Sequence, residues 1–420
     1  MGMIKQDADL YVVGGGILGL CSALQLQSQG QSVVIFEAEE IGKGASFGNA
    51  GHLAVEQVFP IADPSIIRQL PSMLFDPLGP LRLDIKYLPK LFPWAAKLLL
   101  NMRPEPFAVI HEALKQINGI SLHAWQDFAR QWELNSWVQV KGSVLCTETA
   151  AGLEKLKSHG NQLNAIGVPN QLLGQSELLA LEPGLAANQQ GALLFPETGH
   201  ITDLAAVIQT LTHHFVSLGG KVYEHCRVLD MRSVENGIVL NTVKGEIVAG
   251  RVLLTMGAFS KSWVKKITGV SVPLDTERGY HLMLPKVKDR LSVPVTSLER
   301  RFIMTPMEGG LRLAGTVEYA GLSAPPNMSR AYNLLKLARP MLKDAIDDED
   351  SSVWMGFRPS TADSLPVIDK VGRVFLNFGH QHLGLTQAVS SARLIEDLYF
   401  DRASVIDRKP YRLSRFGTGG

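Results

Sequence analysis

The chain lacks any uninterrupted apolar run of about 20 residues, the length that an α-helix needs to span a bilayer. Its most apolar stretch, residues 70–100, is interrupted by prolines and charged side chains. It also lacks an excess of charge of either sign, with 41 Lys and Arg against 40 Asp and Glu. These absences argue against an integral membrane protein and against a nucleic-acid partner, so binding is expected to be local.

Cysteine is scarce as well. Cys21, Cys146 and Cys226 are odd in number and scattered, without CxxC spacing. This predicts a reducing compartment, no disulfide framework and no metal site. A short polar stub, residues 1–7, precedes the first apolar strand and leaves no room for a signal peptide, so we expect a cytoplasmic protein.

What is present is most informative at the N-terminus. An apolar strand at residues 8–13 leads into a glycine-rich turn and then into a helical pattern. Gly14 permits the tight turn, Gly16 allows a backbone to approach a pyrophosphate, and Gly19 lets helix and strand pack closely. Glu37 ends a second apolar run, where an acid accepts hydrogen bonds from a ribose diol and repels a 2′-phosphate. The pattern predicts a pocket for FAD or NAD.

The rest of the chain predicts two domains. Residues 41–51 are too glycine-rich for a helix interior and form a loop. An amphipathic helix is expected over 110–132, paired strands over 138–140 and 143–145, a strand over 221–228, and a helix after residue 203 capped by Thr202 or Asp203. Residues 374–398 repeat the order of strand, glycine turn and helix. The order of strand, glycine turn and helix, which is typical of a nucleotide-binding domain, thus occurs at both ends of the chain. We therefore expect each domain to be assembled from separated segments.

Five motifs in order resemble the D-amino-acid oxidase superfamily of flavoproteins, and within it the bacterial D-amino acid dehydrogenases, including hydroxyproline-type relatives. They are the N-terminal glycine turn 14–19, Glu37, the pair of small-residue segments 44–46 and 49–51, the Gly-Phe-Arg-Pro segment 356–363, and the Gly-His segment 379–386. The likeness to the dehydrogenases is greatest in segments 49–51, 74–98 and 314–318. The resemblance implies an α/β fold. It combines a Rossmann-type FAD-binding domain (1–60, 193–260 and 355–420) with a largely antiparallel substrate domain (61–192 and 261–354).

The resemblance also implies which residues hold the cofactor. Different segments are expected to contact the adenosine and pyrophosphate, the flavin side of the cofactor, and the flavin edge next to the start of the last helix. The expected cofactor-binding residues are Gly14, Gly16, Ile17, Leu18, Gly19, Glu37, Ala38, Gly44, Ala45, Ser46, Asn49, Ala50, Gly51, Val228, Gly257, Gly379, His380, Leu383, Gly384, Leu385 and Thr386. The FAD is expected to be noncovalent, because Asn49 stands nearest to the position where some relatives carry a tethering histidine.

Three residues are candidates for the substrate site. The guanidinium of Arg358 matches an amino acid carboxylate bidentately, and in the family the arginine of this motif resembles such a clamp. Tyr280 falls where relatives place a pocket residue, although a core tyrosine is nearly as good an interpretation. His52 follows the small-residue loop and is read as a pocket-shaping residue or proton acceptor.

The implied reaction is oxidative deamination of an amino acid, favouring a D-amino acid, by hydride transfer from Cα to flavin N5. Electrons would pass to a quinone or another carrier. Alternatives are an oxygen-using glycine, sarcosine or D-amino acid oxidase, a D-proline or hydroxyproline dehydrogenase, and a noncatalytic flavin-binding subunit. Gln381 and His281 depart from residues common in relatives and leave the substrate open.

Residues 81–102 support two interpretations. Basic and aromatic side chains alternate there, as in a helix seated in lipid headgroups, which predicts peripheral contact with the inner face of the cell membrane. The alternative is a prolyl lid that packs on the substrate domain. No oligomeric state is predicted.

Overall fold

The computed structural model describes residues 8–417. The helices in that range are α1 Ile17–Ser28, α2 Ser65–Phe75, α3 Leu88–Asn101, α4 Pro104–Gln131, α5 Ala150–Ala165, α6 Gln175–Leu181, α7 Leu204–Ser217, α8 Ser260–Thr268, α9 Ser329–Ala338 and α10 Ala388–Tyr399. The helix predicted over 110–132 is therefore confirmed within the longer α4. Asp203 caps α7, because its carboxylate accepts a hydrogen bond of 3.0 Å from the Ala206 N–H.

The strands in the same range form four sheets. They are β1 Leu10–Val13, β2 Val33–Phe36, β3 His52–Leu53, β4 Leu81–Leu83, β5 Val138–Gln139, β6 Ser143–Thr147, β7 Gln171–Gly174, β8 Gly191–Phe195, β9 Gly199–Ile201, β10 Lys221–Tyr223, β11 Val228–Val234, β12 Gly237–Thr242, β13 Gly245–Ala249, β14 Val252–Leu254, β15 Leu274–Leu284, β16 Val295–Ser297, β17 Ile303–Met307, β18 Gly310–Tyr319, β19 Ser352–Thr361, β20 Val367–Val371 and β21 Val374–Phe378.

The first sheet has the order β10-β2-β1-β14-β21-β20 and is parallel except for the edge strand β20. Leu10 and Val12 pack into one apolar core with α1, α7 and α10, whereas Tyr11 and Val13 pack into a second core with the β11-β12-β13 meander. Both faces are covered, which explains why β1 is apolar throughout rather than alternating. This sheet confirms the Rossmann-type part of the predicted fold.

The second large sheet has nine strands, ordered β19-β15-β18-β17-β16-β6-β8-β7 with β4 beside β18. It is largely antiparallel, as predicted; the exceptions are the parallel pairs β16–β6 and β4–β18. The domain boundaries expected at 193 and 355 fall inside β8 and β19, so each boundary cuts a strand of this sheet. The division of the chain into two functional domains stays a prediction.

Two local predictions were wrong. The strands at 138–140 and 143–145 do not pair with each other, because Gly142 turns the chain with φ +87° and sends β5 to β9 and β6 to β8. The strand expected over 221–228 stops at Tyr223, since His225 has a left-handed φ of +51°, and Val228 begins a different sheet.

No helix within residues 8–417 is long and apolar enough to cross a membrane. Within the same residues no group of three or more His, Cys, Asp or Glu side chains is arranged to hold a metal ion.

Candidate active site

The glycine turn after β1 is built for close approach. Gly14 has φ +109°, and a Cβ atom there would lie 2.7 Å from the carbonyl oxygen of Thr255. A Cβ on Gly19 would lie 2.0 Å from the Gly14 oxygen, so helix α1 can touch the turn only because this side chain is absent. The hydroxyl of Thr255 donates to the Gly14 oxygen at 2.7 Å and ties the turn to β14.

The N-terminus of α1 carries no acidic residue and no capping side chain of its own. The Ile17 N–H donates instead to the Ser46 hydroxyl at 2.9 Å, which brings the small-residue loop against the helix end. Glu37 accepts hydrogen bonds from the Gly15 N–H at 2.7 Å and the Glu39 N–H at 2.9 Å. The carboxylate is thus fixed beside the glycine turn, and the helix dipole and exposed N–H groups suit a pyrophosphate.

The loop of residues 44–51 lies against the nine-stranded sheet. Arg312 on β18 donates to the carbonyl oxygens of Asn49 at 2.6 Å and Phe47 at 3.4 Å. Burial lowers the pKa of Arg312 to about 10, and its Nε atom has no partner among the described residues. Within the loop, the Asn49 side chain accepts from the Gly51 N–H at 2.9 Å. Arg312 therefore links the loop 44–51 to the sheet.

The Gly-His segment lies at the end of β19, where Ser360 and His380 form a β-bridge. Gly379 has φ +85° and Gln381 has φ +54°, so Gln381 occupies a left-handed conformation that favours glycine. Burial lowers the pKa of His380 to about 3. The last helix does not begin at residues 383–386 as expected. A 3-10 turn ends at Leu383, and α10 begins at Ala388.

Because α10 begins only at Ala388, backbone N–H groups in the Gly-His segment are left without partners among the residues that the structure describes. Within residues 8–417 the N–H groups of Leu385 and Thr386 have no hydrogen-bond acceptor, although both residues are buried. Buried N–H groups are nearly always paired in proteins. The hydroxyl of Thr386 accepts from the Ala54 N–H at 2.9 Å, which brings the segment beside the strand that carries His52. Two unpaired donors therefore point to an acceptor that is a bound molecule.

Arg358 lies on the face of the nine-stranded sheet that packs against α3. A Cβ on Gly279, in the neighbouring strand β15, would lie 2.5 Å from the guanidinium carbon of Arg358. The one hydrogen bond that the guanidinium makes within the described residues is a long one of 3.5 Å to the Thr316 carbonyl. Burial lowers the pKa of Arg358 from its usual value, while the charge of Glu277 opposes that shift. A cation with almost no protein partner is suited to an anionic ligand.

A buried polar cluster adjoins Arg358. The Glu277 carboxylate accepts hydrogen bonds from Ser360 at 2.7 Å and from Tyr319 at 3.1 Å. Helix α3 covers this cluster. Its Trp94 packs with Tyr319 and donates to the Ser360 carbonyl at 2.9 Å. The contact agrees with the lid interpretation of residues 81–102 for the inner side of α3.

Tyr280 does not face the site. It lies on the opposite side of β15 from Arg358, in the apolar core that contains helix α9. Its hydroxyl donates to the Glu318 carboxylate at 2.5 Å and accepts from the Asn327 N–H at 3.0 Å. This placement favours the core interpretation of Tyr280 over the pocket interpretation, because adjacent residues of a strand point to opposite faces and Gly279 occupies the Arg358 side.

His52 is buried at the start of β3 and pairs in register with His200 of β9. Its Nε2 atom lies 3.8 Å from the Glu56 carboxylate and has no hydrogen-bond partner among the described residues. Burial and the neighbouring His200 and His382 lower the pKa of His52 to about 3. Burial and, to a smaller extent, the charge of Arg358 lower the pKa of His382, so His382 is near enough to interact with the charges of both Arg358 and His52.

Contacts link the glycine turn to the loop 44–51 through Ser46, and they link the Gly-His segment both to β19, which carries Arg358, and to the chain directly after β3, which carries His52. Gly257, with φ +53°, lies three residues after the end of β14, and Val228 begins the meander. Sequence reasoning missed Arg312, Glu277, His382 and His200. The sequence held two signals for these residues. Arg312 is a charge between two leucines, and His382 is a second histidine close to the Gly-His pair.

Comparison with known proteins agrees with this arrangement. The family described as FAD dependent oxidoreductase, abbreviated DAO, matches residues 9–398. The chain belongs to this family. Its cofactor is FAD, and the glycine turn, the helix N-terminus and the two unpaired N–H groups fit that group.

Similar proteins cover nearly the whole chain. A D-amino-acid oxidase of Bradyrhizobium diazoefficiens is 30% identical, over 98% of this chain and 100% of that protein. A D-amino acid dehydrogenase of Vibrio atlanticus is 26% identical, over 97% and 100%. The crystal structure of glycine oxidase from Geobacillus kaustophilus has a TM-score of 0.74 at 23% identity and covers 98% of this chain and 99% of that one. That last likeness shows the shared fold.

Proposed function

We propose that the protein oxidises a small amino acid, favouring a D-amino acid, to the corresponding imino acid. The observation that carries the proposal is the guanidinium of Arg358, which is partly buried and makes one weak hydrogen bond within residues 8–417. A planar carboxylate completes such a group by two parallel charge-assisted hydrogen bonds. Relatives named D-amino-acid oxidase and D-amino acid dehydrogenase support the choice of substrate class.

Each group has a distinct role in this proposal. Arg358 binds the carboxylate and fixes the orientation of Cα, Gly279 leaves room for the clamp, and Glu277 with Tyr319 holds the neighbouring wall. The residues expected to hold FAD are those of the glycine turn, the loop 44–51 and the segment 379–386, and we propose that no covalent bond tethers it. When bound, FAD supplies the oxidant that accepts a hydride from Cα.

We assign the electrons to a quinone or another carrier rather than to oxygen, because the Vibrio atlanticus relative is named a dehydrogenase. The rival is an oxygen-using oxidase, which the names of the Bradyrhizobium and Geobacillus proteins favour. The two differ in a simple assay. An oxidase forms hydrogen peroxide at the rate at which substrate is consumed, whereas a dehydrogenase needs an added quinone analogue for turnover.

The deciding experiment follows flavin absorbance without oxygen. The purified protein is mixed with D- and L-alanine, glycine, sarcosine and the proline isomers. We expect bleaching by the D-amino acids and loss of bleaching in Arg358→Ala, with Arg373→Ala as the control because Arg373 is exposed. Bleaching of Arg358→Ala at the wild-type rate would contradict the clamp. A flavin that no amino acid bleaches would instead support a noncatalytic flavin-binding subunit.

The outer side of α3 supports a peripheral membrane contact at the inner face of the cell membrane. Phe92 is 70% exposed and Leu99 is 56% exposed. Lys90 and Lys97 lie on the same helix and would meet anionic headgroups. The wild type should sediment with vesicles containing phosphatidylglycerol, and Phe92→Ser should weaken that binding. Equal sedimentation of both proteins would contradict the contact.

A further inference from the structure

The buried acid Glu56, to which the proposed reaction assigns no role, lies near His52. The Glu56 side chain is only 10% exposed, and its Oε1 atom lies 3.8 Å from the Nε2 atom of His52. Its other carboxylate oxygen has no hydrogen-bond partner among the described residues. The unpaired Nε2 atom of His52 thus lies near a carboxylate whose second oxygen is also unpaired, at a separation somewhat longer than a direct hydrogen bond.

Glu56 also lines a cavity. The cavity has a volume of about 170 Å³ and is bordered by Lys115, Asn118 and Glu197 among other residues. It reaches the surface, because its lining residues Pro169 and Glu197 are exposed. Such a volume holds about five water molecules, taking about 30 Å³ for each. A route for protons therefore exists from Glu56 to bulk solvent.

We infer that His52 and Glu56 form a relay that carries a proton from the substrate amine to the water-filled cavity. The inference rests on the proposed function. An amino acid that enters as an ammonium ion must lose one N–H proton before its nitrogen lone pair can form the C=N bond. The Cα–H bond then breaks, and its hydrogen and electron pair pass to bound FAD. One proton per turnover remains to be removed from a buried site.

The chemistry of the two groups suits this transfer. A neutral imidazole accepts a proton at one ring nitrogen while it donates from the other, so no imidazolium has to persist. Burial, which lowers the pKa of His52 to about 3, therefore does not obstruct the relay. Burial also raises the pKa of Glu56 to about 7, so its carboxylate can hold a proton near neutral pH.

The groups around the relay carry both signs of charge. His200 lies on the neighbouring strand β9, and His382 lies in the Gly-His segment and bonds to the side chain of Gln57 at 2.6 Å. Across the cavity, α4 contributes Lys115 and the turn after β8 contributes Glu197. Within the described residues Lys115 pairs with Glu112 at 2.9 Å and forms no ion pair with Glu56, whereas Glu197 carries the same charge as an ionised Glu56.

The first test needs no substrate. Infrared difference spectra of the holoenzyme, titrated from pH 5 to 9, should show a buried carboxyl that loses its proton near pH 7. The band should be absent in Glu56→Gln and retained in Glu154→Gln, a matched change at an exposed glutamate. His52→Asn should shift the band. A Glu56→Gln spectrum identical to that of the wild type would overturn the relay.

The second test follows flavin reduction by D-alanine and D-proline without oxygen. Glu56→Gln should slow reduction at least about 100-fold, since positioned proton acceptors contribute about 100- to 10,000-fold, and should lose the rise in rate near pH 7. Added imidazole or formate should restore part of the rate in Glu56→Gln and leave Glu154→Gln unchanged. Reduction of Glu56→Gln with the wild-type pH profile would overturn the relay alone. A wild-type flavin that neither amino acid reduces would overturn the proposed function for these substrates, and the relay with it.

Discussion

Gly279 lies directly beneath the guanidinium of Arg358, so that a single added Cβ atom would sit 2.5 Å from its central carbon. The two residues belong to neighbouring antiparallel strands, where Gly279 pairs with Gly356 and Arg358 pairs with Glu277. The side chain of Arg358 therefore crosses diagonally over β15, and it fits there only because Gly279 has no side chain. A glycine that has no unusual backbone angle is required here for space alone.

Gly279→Ala should displace the Arg358 guanidinium and raise the KM for the amino acid about 10- to 100-fold, equivalent to one charged hydrogen bond of about 1.5–3 kcal/mol. Anaerobic flavin reduction at varied substrate concentration measures the change. Gly250→Ala is the matched control, because nothing lies within 4 Å of a Cβ at that position. An unchanged KM in Gly279→Ala would show that the guanidinium does not bind substrate in this position.

The sequence predicted most reliably what depends on neighbours along the chain. The strand, glycine turn and helix at residues 10–28 follow from an apolar run and from glycines whose side chains would collide. The assignment of β5 and β6 as partners was wrong because pairing is decided by distant strands, β9 and β8. Local patterns do not specify such long-range register.

The site residues divide in the same way. Arg358 could be proposed from a local motif, whereas the face of β15 that Tyr280 occupies depends on how the whole sheet packs against α9. Arg312 and Glu277 were missed because each resembles an ordinary strand residue until its neighbours are known. The clamp position of Gly279 likewise depends on a cross-strand contact that a single sequence does not reveal.

Arg312→Met should weaken FAD binding, because it removes the charged hydrogen bonds that hold the carbonyls of Asn49 and Phe47. We expect the Kd for FAD to rise about 10-fold, as for one charged hydrogen bond. Flavin fluorescence during titration of the apoprotein gives the Kd directly. Arg373→Met, at an exposed position, should leave it unchanged. Equal affinity of Arg312→Met and wild type would mean that the loop keeps its position without this contact.

His380 should make the fold sensitive to acid. Burial lowers the pKa of His380 from its ordinary value of 6.5 to about 3 in the folded state, so between these pH values only the unfolded state binds the extra proton. Stability is therefore unaffected above pH 6.5 and falls as pH drops toward 3, by up to about 4 kcal/mol. Urea unfolding between pH 4 and 8 gives the free energy of unfolding as a function of pH. Its slope should correspond to about one proton fewer in His380→Gln than in the wild type. His213→Gln, an exposed control, should keep the wild-type slope; an identical slope in His380→Gln would contradict the assignment.

Tyr280→Phe separates the core interpretation of this residue from the pocket interpretation. The change removes a hydrogen bond to Glu318 and one from the Asn327 N–H, both on the side of β15 that faces α9. We expect the free energy of unfolding to fall by about 1–2 kcal/mol, since a buried backbone donor loses its acceptor. The KM for the amino acid and the rate of flavin reduction should stay at wild-type values, because the hydroxyl lies on the opposite face from Arg358. Urea unfolding and anaerobic reduction of the same preparation measure both quantities. A raised KM with unchanged stability would place Tyr280 back in the pocket and would require β15 to be rotated relative to the sheet described here.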